Sequence, residues 1–150
     1  MIKRKLSKKL LEKENYQRWN LFIDILAMER EEDLTNIQKN AKRAFLYDSE
    51  IQNGGHLQYF ENTFLDDYSE IINSIEIFGA INHAKLLKKA VEIYFNKKRT
   101  KIENVENFIA EYQNEEYQNL DNEYYAIEPD MNYYLNKYLE KYQDEFIEIL

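Results

Sequence analysis

Apolar residues recur at helical spacing along nearly the whole chain, and no stretch alternates cleanly enough to predict a strand. Trp19, Phe22, Ile23 and Leu26 stand at i, i+3, i+4 and i+7, which predicts a helix over about residues 15–31 with one buried stripe. Thr35 followed by Gln38 has the form of a capping box, in which the hydroxyl accepts a free N–H and the amide returns to the cap. A second helix therefore starts there, with Ile37, Ala41, Ala44 and Phe45 on one face. Asn53-Gly54-Gly55 is predicted to end it, because glycine enters the left-handed region without a Cβ penalty. His56 to Phe64 reads as a further short helix.

Ile71, Ile75 and Phe78 define the next helix, stopped at Gly79, and Leu87, Ala90, Val91 and Tyr94 define another from about Asn82 to Asn96. The basic run Lys97 to Lys101 reads as an exposed connection, its charge complementing the dipole of the helix before it. Val105, Phe108, Ile109 and Tyr112 form an apolar stripe, with Glu103, Glu106 and Glu111 on the opposite side. A helix near Asn119 to Ala126 precedes Glu128-Pro129-Asp130, where proline suits a first helical turn. The last helix is predicted to run to the end of the chain, with Leu135, Tyr138, Leu139, Tyr142, Phe146 and Ile149 on one side. The pattern gives an all-α, single-domain bundle of about six to eight helices. Residues 15–150 form its helical domain and residues 1–14 a basic N-terminal arm or helix.

At 150 residues the chain is the size of one domain, large enough to bury a core. Three glycines, one proline and no cysteine remove several classes of function. A disulfide scaffold, a zinc–cysteine site and a cysteine nucleophile all need the missing thiol, and a P-loop or dinucleotide fingerprint needs a glycine cluster. His56 and His83 lack a partner at metal-ligand spacing and read as helix-end or surface residues. Catalytic, cofactor and metal sites are accordingly expected to be absent. No apolar run approaches the roughly 18 residues of a membrane span, so a cytoplasmic protein is expected.

The net charge of −8 is unevenly placed. Residues 1–18 carry a net +5, whereas residues 102–150 hold 13 carboxylates against 2 lysines, a net −11. Such a surface repels phosphate and argues against a direct nucleic-acid ligand. The same third holds 8 of the 13 tyrosines, a residue type enriched at interfaces, which leaves a homodimer open.

The segment Asn53-Gly54-Gly55, then Gln58-Tyr59-Phe60 and Asn62, resembles the signature of the DNA mimic protein family, a group of small bacterial all-helical proteins. Trp19 and Asp24, the turn Ile77-Phe78-Gly79-Ala80, and Leu120-Asp121-Asn122-Glu123-Tyr124-Tyr125 extend the resemblance over about residues 15–146. The signature residues themselves read as structural: Gly54 and Gly55 for the turn, Tyr59 and Phe60 for the core, Asn53 and Asn62 for capping. The resemblance implies a protein that presents carboxylates where DNA presents phosphates and so occupies the DNA-binding surface of another protein.

The groups expected to carry that contact are Glu103, Glu106, Glu111, Glu115, Glu116, Glu123, Glu140, Asp144 and Glu148, facing a basic protein surface such as a DNA-binding regulator. Two other readings keep the sequence consistent. One is an immunity-type inhibitor that occludes the groove of a basic nuclease toxin; the other is an enzyme with a carboxylate site on a helical scaffold.

Overall fold

The computed structural model describes residues 1–96, 102–112 and 115–150, the side chains of Glu111 and Tyr112 excepted. The predicted connection Lys97 to Lys101 therefore lies outside the described residues, as does the side chain of Glu111 among the expected contact groups. The fold is all-α. In chain order the described elements are β1 (Arg4–Leu6), α1 (Lys8–Lys13), α2 (Gln17–Met28), α3 (Asn36–Thr63), α4 (Ser69–Phe78), α5 (Ile81–Asn96), α6 (Val105–Tyr112), α7 (Glu115–Ala126), α8 (Met131–Phe146) and β2 (Ile147–Ile149). None of these helices is long and apolar enough to cross a membrane.

Helix α3 is the axis of the molecule, packing against α2, α4, α7 and α8. Its start is the predicted capping box: Gln38 N–H donates to Thr35 Oγ1 at 3.2 Å, and Thr35 N–H donates to Gln38 Oε1 at 3.0 Å. The Gln38 side chain is fully buried, and its Nε2 also donates to the carbonyls of Ile2 at 2.7 Å and Glu145 at 2.8 Å. One cap thus ties both ends of the chain to α3. The α2 and α3 stripes meet in the core, where Phe22, Leu26, Ala41, Ala44 and Ile51 are buried, while Trp19, Ile23, Ile37 and Phe45 pack partly buried around them. Burying a side chain of the Leu or Phe type stabilises by about 1.5–3 kcal/mol, so this stripe dominates the local energetics.

Four expectations are corrected. The glycine pair bends α3 instead of ending it: Gly55, at φ 84° and ψ −176°, sits inside a helix that continues to Thr63. The last helix stops at Phe146, and Ile147–Ile149 pairs in parallel with Arg4–Leu6, so the chain does contain a short ladder. Asp130, not Pro129, stands at the start of α8, where its carboxylate accepts the Tyr133 N–H at 3.1 Å. The α6 stripe is not wholly inward-facing either, since Val105 is 73% and Ile109 48% exposed.

The basic arm folds back on the body. Arg4 bridges Asp24 at 2.8 Å and Glu29 at 2.6 Å, while Ser7 caps α1 by accepting the Leu10 N–H. Helix α3 ends at Phe64, which takes the left-handed conformation at φ 50°, ψ 54° with its side chain 82% exposed. A bulky L-residue is strained there by about 1–2 kcal/mol, whereas asparagine accepts the conformation. Phe64→Asn should therefore raise stability by about 1 kcal/mol in urea unfolding. An unchanged or lower midpoint would contradict that.

Candidate functional site

The residues of the NGG segment build a buried polar chain between α3 and α7. Asp121 Oδ1 accepts both the backbone N–H and the Nδ1–H of His56, each at 2.8 Å. With the Nδ1 proton directed at the carboxylate, Nε2 accepts from the Tyr47 hydroxyl at 2.6 Å. Beside it, the Tyr124 hydroxyl donates to Asp48 Oδ1 at 2.5 Å, and Tyr125 donates to the carbonyl of Ile51 at 2.9 Å.

Gly55 makes this possible: a Cβ there would lie 2.2 Å from Asp121 Oδ2. Gly54 has a comparable role on the outer side, where a Cβ would meet the Gln58 side chain. Gln58 and Asn62 both donate to Glu50 Oε2, at 3.0 and 2.8 Å, clamping the two arms of the bent helix together. Asn62 is thus a strut within α3 and not a cap, and Asn53 is exposed. Tyr59 and Phe60 are core residues, as read.

Both histidines are buried, so neither is a surface residue, although His83 does stand at a helix end, in the first turn of α5. His83 stands edge-on to the rings of Tyr124 and Tyr134, and burial lowers its pKa, which keeps it neutral. Tyr47 and His56 expose no surface at all and Asp121 only 8%, so the Tyr–His–Asp chain resembles a proton relay in composition and lies in the interior. It joins α7 to the bend in α3. The signal for it was present but ambiguous: Tyr117, Leu120, Asp121 and Tyr124 share the buried face of α7, and a carboxylate on such a face requires a partner.

The expected contact acids lie on the outside. Glu103, Glu106, Glu115, Glu116, Glu123, Glu140, Asp144 and Glu148 are all exposed. Their surroundings differ. Glu123 is paired with Lys89 of α5 at 2.9 Å, and Glu140 stands 3.7 Å from Lys137. Glu148 is on β2, not on the last helix, and its register partner across the ladder is Lys5. Among the described residues Glu106, Glu115 and Asp144 enter no ion pair.

Helix α7 lies along the second half of α3, through the Asp121–His56 and Tyr125–Ile51 contacts. Helix α8 lies along the first half, through Tyr138 on the Ile37 carbonyl and Gln38 on the Glu145 carbonyl. At about 1.5 Å per residue the contacts at Ile37 and Gln38 stand roughly 20–28 Å along α3 from those at Ile51 and His56. The two helices therefore pack on different halves of α3. Cations also stand beside α7: Lys85 and Lys89 line the cleft of about 370 Å³ where α5 meets α7. Among the described residues no group of three His, Cys, Asp or Glu side chains is arranged to hold a metal ion.

A long bent helix carrying a buried His–Asp junction, wrapped by helices with carboxylates outward, defines a helical scaffold with an anionic exterior. The profile of the DMP19-like protein family matches residues 32–142, and the chain belongs to that family. The match runs from the turn before α3 into α8, a narrower span than the resemblance over residues 15–146 had suggested, and includes the whole of the buried junction. No curated relative and no solved structure matches the chain.

Proposed function

We propose that this protein is a non-enzymatic interaction protein that substitutes carboxylates for DNA phosphates and occupies the DNA-binding surface of a regulator. The observation that carries this reading is its membership of the DMP19-like family, joined to a net charge of −8. Duplex DNA carries one charge per about 1.7 Å of axis, and acids one helical turn apart are spaced by about 5.4 Å. Several helices must therefore contribute, and Glu106 on α6, Glu115 on α7 and Asp144 on α8 are exposed and, among the described residues, enter no ion pair. These groups steer a basic partner from a distance and lose that effect as salt shortens the screening length to about 8 Å.

The test is to reverse all three to lysine, which moves the net charge from −8 to −2. Three solvent-exposed contacts at up to about 1 kcal/mol each predict a loss of partner affinity approaching 100-fold at low salt. Capture of partner proteins from a bacterial extract should fall accordingly, with circular dichroism unchanged. Undiminished capture contradicts the reading, and a captured nuclease in place of a regulator would turn it into the immunity-type inhibitor.

A further inference from the structure

A DNA-like surface needs charge and has no use for an aromatic ring held in water. Yet Phe64 is more exposed than any other large apolar side chain among the described residues, and it is held in a left-handed backbone conformation that disfavours it. It does not stand alone. Leu65 is 41% and Phe95 49% exposed, and together with Asp66 and Tyr94 these residues line a cleft of about 200 Å³ at the junction of α3 and α5. The Phe95 ring packs on Tyr68, and Tyr68 also lines a second cleft of about 370 Å³ between α4 and α5, with Ile72 and Val91 beneath it.

Carboxylates surround this aromatic floor. Asp66 lines the first cleft, and Asp67, Glu76 and Glu92 line the second, where Lys88 is the one cation among the described lining residues. Among the described residues none of the four acids enters an ion pair. The sequence continues from Asn96 into the run Lys97 to Lys101, outside the described residues. Exposed apolar surface of this kind, rimmed by like charges, marks a contact site, and its charge selects the opposite sign in whatever covers it.

We propose that the α4–α5 face docks a cationic segment of a partner protein that carries one large apolar side chain. The apolar side chain seats between Phe64, Leu65 and Phe95, and flanking lysines or arginines reach Asp66 and Asp67 on one side and Glu76 and Glu92 on the other. An arginine guanidinium lying over the exposed rings adds a cation–π contribution. The surface is distinct from Glu106, Glu115 and Asp144, so it stands or falls independently of the DNA-like reading.

The experiment is an amide NMR titration of the full chain with a short lysine- and arginine-rich peptide bearing one central tryptophan. Its twin has alanine in place of the tryptophan. The tryptophan peptide should shift the amides of Phe64 to Asp67 and of Lys88 to Phe95, and bind about tenfold or more tighter than the alanine twin, the effect of burying one large apolar side chain. Phe64→Asn, which suits the backbone at that position, should remove most of this difference, and adding Phe95→Ala should remove the rest.

Asp66→Asn with Glu92→Gln should weaken both peptides and flatten their salt dependence, while the triple reversal at Glu106, Glu115 and Asp144 should leave the tryptophan preference intact. Equal binding of the two peptides, or shifts centred on α7 and α8, overturns the proposal. Shifts at Phe64 and Phe95 that grow with protein concentration in the absence of peptide also overturn it, by assigning the face to a second copy of the chain.

Discussion

Replacing Gly55 with alanine is expected to lower the melting temperature by roughly 10 °C, far more than the same change at Gly79. The two glycines share a positive φ but differ in surroundings. Gly79, at φ 115°, has nothing within 4 Å of an added Cβ, so alanine there adds backbone strain of about 1–2 kcal/mol and no clash. Gly55 combines φ 84° with ψ −176°, a region reached almost exclusively by glycine, at a strain of about 1–3 kcal/mol. Its Cβ would in addition drive Asp121 off the two N–H donors of His56. Breaking a buried charged contact typically destabilises by about 3–5 kcal/mol, since the partner is left without water or protein to satisfy it. A total of about 4 kcal/mol is a large share of the stability of a domain this size. Equal falls at Gly55 and Gly79 in a thermal melt would mean that the His56–Asp121 junction does not hold α7 to α3.

Alkaline unfolding should be steep and should begin just above pH 10. Burial is the leading cause that raises the phenol pKa of Tyr47, Tyr59, Tyr124 and Tyr138, with Asp48 adding to it at Tyr124 and neighbouring tyrosines at Tyr59 and Tyr138. These are groups whose folded pKa stands above the unfolded value of about 10. Their contribution is fully present below that value and is lost as pH rises from there toward the folded pKa. Each phenol then costs about 1.4 kcal/mol per pH unit, and four together about 5 kcal/mol, against a total stability of about 5–15 kcal/mol. Phenolate absorbance and helical circular dichroism are expected to change together, with these four tyrosines ionising only as the helices melt. Ionisation of all 13 tyrosines in a chain that keeps its helical signal would contradict the buried placement.

What the sequence disclosed was local. The Thr35–Gln38 cap, the α2 stripe and the stop at Gly79 depend on residues within one or two turns of each other, and all three are found as read. The bend at Gly55 looks like a helix end in the sequence because the same kind of backbone torsion terminates a helix or admits a neighbour. The deciding residue, Asp121, pairs with His56 from 65 positions away. The β1–β2 ladder was invisible for a related reason: three-residue strands at opposite ends of the chain show no periodicity of their own. Register there is set by the Gln38 side chain, which holds the Ile2 and Glu145 carbonyls together.

The acidic surface was legible as composition but not as arrangement. Counting carboxylates found the anionic third, yet Glu148 is set opposite Lys5 and Glu123 opposite Lys89, pairings that only the fold creates. The Phe64 cleft has no signal in the sequence. Phe64 and Leu65 follow a helical apolar run and look like core, and only the left-handed turn at the end of α3 directs Phe64 into solvent.

The central claim is that the anionic exterior takes the place of DNA on a partner, and competition tests it most directly. A partner captured on the immobilised protein at low salt should be released by a short DNA duplex and retained when an uncharged polymer is added at the same mass concentration. Retention of the partner under saturating duplex would show that the two do not share a binding surface, and the account would then be wrong.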